Sequence, residues 1–224
     1  MTVPNQSTPA LLFDFDGTLG RSLHHWSEAF REAFIELGIS MTSPEAIQGC
    51  FHMNREELIE AHNLDNLPTL RARIRELAKK RMPLVEAYPE VHLTLKSLYN
   101  QSITLAVVTN SSRAHVEPVL HRWGVQKYFS AIISLDDVTK GKPSPEPINA
   151  ALNLISTDAT NAWMIGDSVV DIEAGHAAGV KTIAFSPPEN HQFVSPKILH
   201  ATKPTALITS YNELNVLLPR LQTA

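Results

Sequence analysis

The sequence predicts an α/β protein: a Rossmann-like, mainly parallel sheet with helices on both faces, plus an inserted all-helical cap domain. Three observations predict it. From residue 88 onward, short apolar runs alternate with amphipathic stretches of helix length, and that alternation calls for right-handed crossovers between parallel strands. One further strand-like run stands alone at residues 10–15. Between that run and the others, from Gly20 to Ala87, the periodicity is helical and no strand pattern occurs.

The elements follow in order. Ala10-Leu11-Leu12-Phe13-Asp14-Phe15 reads as a buried strand that enters a turn at Asp16-Gly17-Thr18. Trp26, Ala29, Phe30, Ala33, Phe34 and Leu37 recur at three- and four-residue spacing, one stripe of a helix that stops at Gly38. Pro44-Glu45 opens a short helix, and Arg55 to His62 reads as another. Leu67, Leu70, Ile74, Leu77, Arg81 or Met82, and Val85 mark a long helix with a basic outer face. Beyond Tyr88-Pro89 come strand-like runs at 103–109, 131–134, 162–165, 182–185 and, more weakly, 206–208. Helical patterns at 91–99, 113–123, 147–155, 169–178 and 212–221 accompany them. Residues 186–204 hold Pro187, Pro188, Pro196 and Pro204 and read as a long surface connection. Residues 1–19 and 88–224 therefore make the sheet domain, and residues 20–87 the helical cap.

This division suits the length, because 224 residues hold more than one domain of roughly 150 but less than two. The composition, 43% hydrophobic and 19% charged, is that of a folded globular chain. A formal charge of −4 without a long basic stripe argues against nucleic acid as a partner. No apolar run approaches the length of a membrane span, so no membrane partner is expected. The single cysteine, Cys50, cannot form an internal disulfide. Met1 to Gln6 lack the features of a signal peptide, and a cytoplasmic location is the expectation.

Polar residues with chemical potential gather where strands end. Asp14 and Asp16, two apart, start on the same face, and Gly17 lets the chain turn there. Two neighbouring carboxylates suit an ionised nucleophile beside an acid that holds a proton. Thr109-Asn110-Ser111-Ser112 places a hydroxyl and backbone N–H groups at a helix start, a cradle for an anion. Lys142, in Gly141-Lys142-Pro143-Ser144-Pro145, leaves a turn stiffened by proline and can offset a carboxylate or hold a phosphate oxygen. Gly166-Asp167-Ser168 is followed by Asp171, four residues after Asp167, a hard oxygen pair suited to Mg²⁺. Taken singly, these also fit an acidic turn, helix caps and a solvent-facing lysine. Their shared position outside the carboxyl ends of one parallel sheet is what makes a site.

Together these residues resemble the haloacid dehalogenase superfamily, in its helical-cap subgroup of phosphoglycolate phosphatase-like and β-phosphoglucomutase-like proteins. Asp14-Phe15-Asp16-Gly17-Thr18-Leu19 is similar to the first motif, Thr109-Asn110 to the second, Lys142 to the third, and Gly166-Asp167-Ser168-x-x-Asp171 to the fourth. The resemblance implies a Mg²⁺-dependent phosphatase of a small phosphorylated metabolite, with Asp14 as nucleophile through an aspartyl phosphate and Asp16 as acid and base. It further implies Mg²⁺ on Asp14, Asp167 and the Asp16 carbonyl, with Asp171 in contact through water or one shell out. Thr109, the Asn110 N–H and Lys142 would hold phosphoryl oxygens. A phosphomutase or phosphotransferase of the β-phosphoglucomutase type is the alternative, and an idle binding or regulatory module on the same fold is a third reading. Monomer and homodimer both stay open. Where many capped relatives have Asp-Ser, this chain has Gly20-Arg21-Ser22, and pairing of Arg21 with a surface carboxylate is the simpler reading. His24-His25 and Cys50 read as helix start and packing; the run Arg71, Arg73, Arg75, Lys79, Lys80, Arg81 reads most simply as a solvated face, with contact of one member to a substrate phosphate as the alternative.

Overall fold

Each side chain of the first apolar run has a hydrophobic surface to cover, and this sets the architecture. A computed structural model describes residues 9–64 and 67–221; the signal-peptide reading of Met1 to Gln6 lies outside them. β1 (Ala10–Phe13), β2 (Thr104–Val108), β3 (Ala131–Ile133), β4 (Ala162–Gly166), β5 (Lys181–Phe185) and β6 (Ala206–Ile208) form one sheet. Its order is β3-β2-β1-β4-β5-β6, parallel at every pair. Leu11 and Phe13 join Leu105, Val107, Trp163 and Ile165 on one face, while Ala10 and Leu12 join Ala106, Val108 and Met164 on the other. This is the two-residue period of a strand buried on both sides.

α5 (Val91–Asn100), α6 (Arg113–Arg122) and α10 (Tyr211–Leu221) cover the first face; α7 (Glu146–Ile155) and α8 (Val169–Ala177) cover the second. β1 lies between β2 and β4, where the winding reverses. The crevice outside the carboxyl ends at such a reversal is where open α/β sheets bind ligands.

Between β1 and β2 the chain forms α1 (Leu23–Glu36), α2 (Ser43–Ile47), α3 (Arg55–His62) and α4 (Leu67–Arg81), and no strand occurs there among the described residues. α1 buries Ala29, Phe30, Ala33 and Phe34, α4 buries Leu70, Leu77 and Ala78, and all belong to one apolar cluster. Capping boxes start α2, from Thr42 to Glu45, and α3, from Asn54 to Glu57. The chain leaves and returns through adjacent segments: Gly20 bridges Ala87 antiparallel, and the Arg21 N–H donates to the Glu86 carbonyl at 2.8 Å.

Two expectations need correction. The long helix does not run to Val85: α4 stops at Arg81 and a 3₁₀ turn follows at Met82–Leu84, where Pro83 lacks an N–H and its ring disfavours a further α-helical turn. Residues 186–204 are not simply a surface connection. They contain a turn at Pro188–Asn190 and α9 (Pro196–Ala201), and they bury Asn190, Phe193 and Leu199. The reason is polar as well as apolar, since the Asn190 amide donates to the Gly17 carbonyl at 2.8 Å.

Candidate active site

β1 ends at Phe13 because the next residues turn, and Asp14 is held at that end by its own N–H donating to the Ile165 carbonyl of β4 at 2.9 Å. Lys142 arrives after β3 from the far side of β2. Its ammonium donates to Asp14 Oδ1 at 2.7 Å, Asp171 Oδ1 at 2.6 Å and the Val108 carbonyl at 2.7 Å. All three N–H bonds are thus engaged, and a phosphoryl oxygen reaches this cation only by sharing or displacing a partner. Asn110 clamps the Lys142 backbone: its amide donates to the Lys142 carbonyl at 2.9 Å, and its Oδ1 accepts from the Lys142 N–H at 2.8 Å.

The fourth strand contributes two carboxylates by different routes. Asp171 lies in the first turn of α8 and closes a capping box with Ser168, whose hydroxyl donates to Asp171 Oδ2 at 2.5 Å. Asp167 precedes that cap and accepts from Thr18 Oγ1 at 3.2 Å and from the Asn190 amide at 3.4 Å. One oxygen from each of Asp14, Asp167 and Asp171 lies within 4.8 Å of the others, and all three residues are buried.

Close approach needs glycine at two points. Gly17, at φ +73°, would place a Cβ 2.2 Å from Asp167 Oδ2; at Gly166 a Cβ would fall 2.3 Å from Asp171 Cγ. Gly166→Ala is therefore expected to push Asp171 off Lys142 and cost about 1–3 kcal/mol. Thermal melts with and without Mg²⁺ check this; unchanged stability and unchanged Mg²⁺ response would contradict the packing argument.

The electrostatics are unbalanced. Burial drives the Asp14 carboxyl up to about 7; Lys142 opposes this, while the charges of Asp171 and Asp16 add to it. Burial, then Asp171 and Asp14, raises Asp167 well above the carboxylate range. Burial works against the Lys142 ammonium, but Asp14 and Asp171 outweigh it and raise its pKa. Lys142 is thus a firm cation facing three buried carboxyl groups, and once all three are ionised they leave two positive charges lacking. The donor set is all hard oxygen, so these residues fit a divalent ion such as Mg²⁺.

The Asp16 side chain lies outside the three-carboxylate cluster and has its own network. Its Oδ1 accepts from Ser22 Oγ at 2.5 Å and from Trp26 Nε1 at 2.7 Å, and its Oδ2 from the Ser111 hydroxyl. Thr109 Oγ1 accepts from the Ser111 N–H at 3.1 Å, so the loop after β2 is knit internally. Arg21 pairs with Glu189 at 2.5 Å, the surface pairing expected of it.

The sequence reading quoted Thr18, Ser111 and Ser168 within the strand-end motifs without giving them a place in the site, and it did not offer Ser22, Trp26 or Asn190 as site residues. Ser168-x-x-Asp171 also has the spacing of a capping box.

Similarity to known proteins agrees with this geometry. A family model described as haloacid dehalogenase-like hydrolase matches residues 11–185. The chain is 32% identical over 182 residues to "Pyrophosphatase PpaX" of Oceanobacillus iheyensis, covering 80% of this chain and 83% of that protein. It is 30% identical over 191 residues to "Phosphoglycolate phosphatase" of Pseudomonas fluorescens, covering 81% and 70%. Among solved structures, CbbY from Rhodobacter sphaeroides in complex with phosphate shares the fold at TM-score 0.75 and 23% identity, over 92% of this chain and 96% of that one. A HAD family hydrolase from Deinococcus radiodurans with bound phosphate and sodium does so at TM-score 0.77 and 21% identity, over 97% of each chain.

Proposed function

The chain belongs to the haloacid dehalogenase-like hydrolase family, and on that premise we propose that it is a Mg²⁺-dependent phosphatase of a small phosphorylated metabolite, with Asp14 as nucleophile. Its relatives make it a phosphoric ester hydrolase; the metal, the nucleophile and the residue roles are this proposal's own content. The observation that carries it is Lys142 bridging Asp14 and Asp171 beside Asp167, two positive charges short of neutrality once all three carboxyls are ionised.

Asp14, Asp167, the Asp16 carbonyl and, directly or through water, Asp171 would hold the ion. When bound, Mg²⁺ supplies charge neutralisation for a phosphoryl group entering among carboxylates. Lys142 occupies Asp14 Oδ1, and among the described residues nothing donates to Oδ2, which is left to form the bond to phosphorus. As that bond forms, the bond from phosphorus to the leaving oxygen breaks, and Asp16 passes a proton to that oxygen. Water then attacks the phosphorus of the aspartyl phosphate, gives its proton to Asp16 and frees the Asp14 carboxylate. Asp16 suits both steps: Trp26 can only donate, which keeps Oδ1 an acceptor, whereas the Ser111 hydroxyl can turn and let Oδ2 carry the proton. Thr109, the Asn110 N–H and Lys142 would bind the phosphoryl oxygens. Residues 20–87 would act as a lid hinged at Gly20 and Ala87, excluding bulk water during transfer.

Purified protein incubated with p-nitrophenyl phosphate is expected to release p-nitrophenol with Mg²⁺ and to stop in EDTA. Absence of Mg²⁺-dependent release from this ester and from a panel of phosphorylated metabolites would overturn the proposal. Phosphate retained on a rearranged product would favour the phosphomutase instead.

A further inference from the structure

Helix α4 carries two arginines whose pairing sets them apart. Of the arginines whose side chains are described, Arg21, Arg31, Arg73, Arg81 and Arg113 form ion pairs, and Arg122 donates to the Val85 carbonyl. Arg71 and Arg75 have no side-chain hydrogen bond or ion pair with any described residue, and both are exposed. They stand four apart, on one side of α4, while Arg73 between them turns away to Glu36 and Glu76.

Both line a cavity of about 240 Å³ within the helical segment, whose other walls include Trp26, Phe30, Met53 and Ile74. Trp26 fixes where this cavity stands relative to the chemistry, because its indole N–H is 2.7 Å from Asp16, the proposed acid. Arg75 is placed from the other side, its backbone carbonyl 2.9 Å from Nε2 of His115 on α6, just beyond the Thr109–Ser111 loop. A leaving group that extends from Asp16 past Trp26 would enter the cavity that Arg71 and Arg75 line. Like charges one helical turn apart repel, and an oxyanion between them converts that repulsion into two charge-assisted contacts.

We infer that Arg71 and Arg75 select substrates whose leaving group carries a second anionic group, a carboxylate or a phosphate. The inference rests on the phosphatase reading and narrows it. The matched test compares kcat/KM for 2-phosphoglycolate and for 2-hydroxyethyl phosphate, which differ in replacing the carboxylate by a hydroxymethyl group. Inorganic pyrophosphate is the phosphate arm. The wild type is expected to prefer the carboxylate or the pyrophosphate by about tenfold or more, roughly one charge-assisted contact. Arg71→Met and Arg75→Met are each expected to bring that ratio down several-fold, mainly through KM, with Arg75→Lys partly restoring it. Arg73→Met, on the same helix but paired elsewhere, is expected to leave the ratio unchanged.

A ratio near one in the wild type, or a ratio untouched in the double variant, would overturn the inference while leaving the phosphatase reading intact. If no phosphate ester is hydrolysed, that reading fails instead, and calorimetric binding of the same compounds decides the arginine question. Equal affinity of wild type and double variant for the anionic compounds would then overturn it.

Discussion

Asp14→Asn is expected to lower kcat by roughly 10⁴-fold or more, the scale of losing a nucleophile, and at the same time to raise the melting temperature of the metal-free protein. The first effect follows from the reaction, since an amide at this position cannot form the bond to phosphorus and be regenerated by water. The second follows from burial. The Asp14 carboxyl is pushed up to about 7 in the folded protein, against about 3.9 in an unfolded chain. Between those values the folded state binds the proton and the unfolded state does not, so metal-free stability falls as pH rises from about 4 to 7. The full shift corresponds to at most about 4 kcal/mol above pH 7. Part of that gain is offset in the variant because Lys142 keeps only Asp171. A rise of about 2–4 °C per kcal/mol recovered is the scale for a chain this long. The stability difference should shrink toward pH 4–5, where Asp14 is protonated in the wild type. Added Mg²⁺ should reverse the order, since a ligand bound only by the folded state stabilises the wild type and has lost one carboxylate in the variant. Turnover within tenfold of wild type would refute the role of Asp14; an unchanged metal-free melting temperature at pH 8 would refute the burial argument.

The sheet was legible because its strands are buried on both faces and so read as continuous apolar runs, as Leu105 to Val108 do. The candidate site residues follow strand ends for a topological reason. Asp14, Thr109, Lys142 and Asp167 each follow a strand of a parallel sheet, so four sequence positions far apart converge at one edge. What escaped was the support around them. Asn190 meets Gly17 across 173 residues, and Ser111 meets Asp16 across 95; neither contact leaves a periodic or local trace. Pro187 and Pro188 marked their segment as a connection, but a proline says nothing about whether that connection is solvated or buried against a site. Trp26 was legible as one of a helical stripe of core residues, and its indole N–H is what couples that stripe to Asp16.

Lys142→Met is expected to separate the structural from the catalytic work of the same cation. Methionine fills a similar volume, so the change is chiefly one of charge. The Lys142 side chain is 1% exposed, and its ammonium lies 2.7 Å from Asp14 and 2.6 Å from Asp171. Removing one partner of a buried ion network leaves uncompensated charge and typically costs about 3–5 kcal/mol. At pH 8 in EDTA the melting temperature should therefore fall by about 10 °C. The loss should be smaller at pH 5, where Asp14 takes up a proton instead of remaining a buried anion. Activity should drop by roughly 10³-fold, the upper range for deleting one preorganised donor to a developing charge. Affinity for a divalent ion should move the opposite way. Without the lysine the three carboxylates, once ionised, are three positive charges short rather than two, so Mg²⁺ should bind more tightly and restore much of the lost stability. A lysine that served only as packing would give weaker stability and weaker Mg²⁺ binding together. Opposite signs for Mg²⁺ affinity and turnover are what the charge count requires, and the same sign for both would show that Lys142 does not balance this cluster.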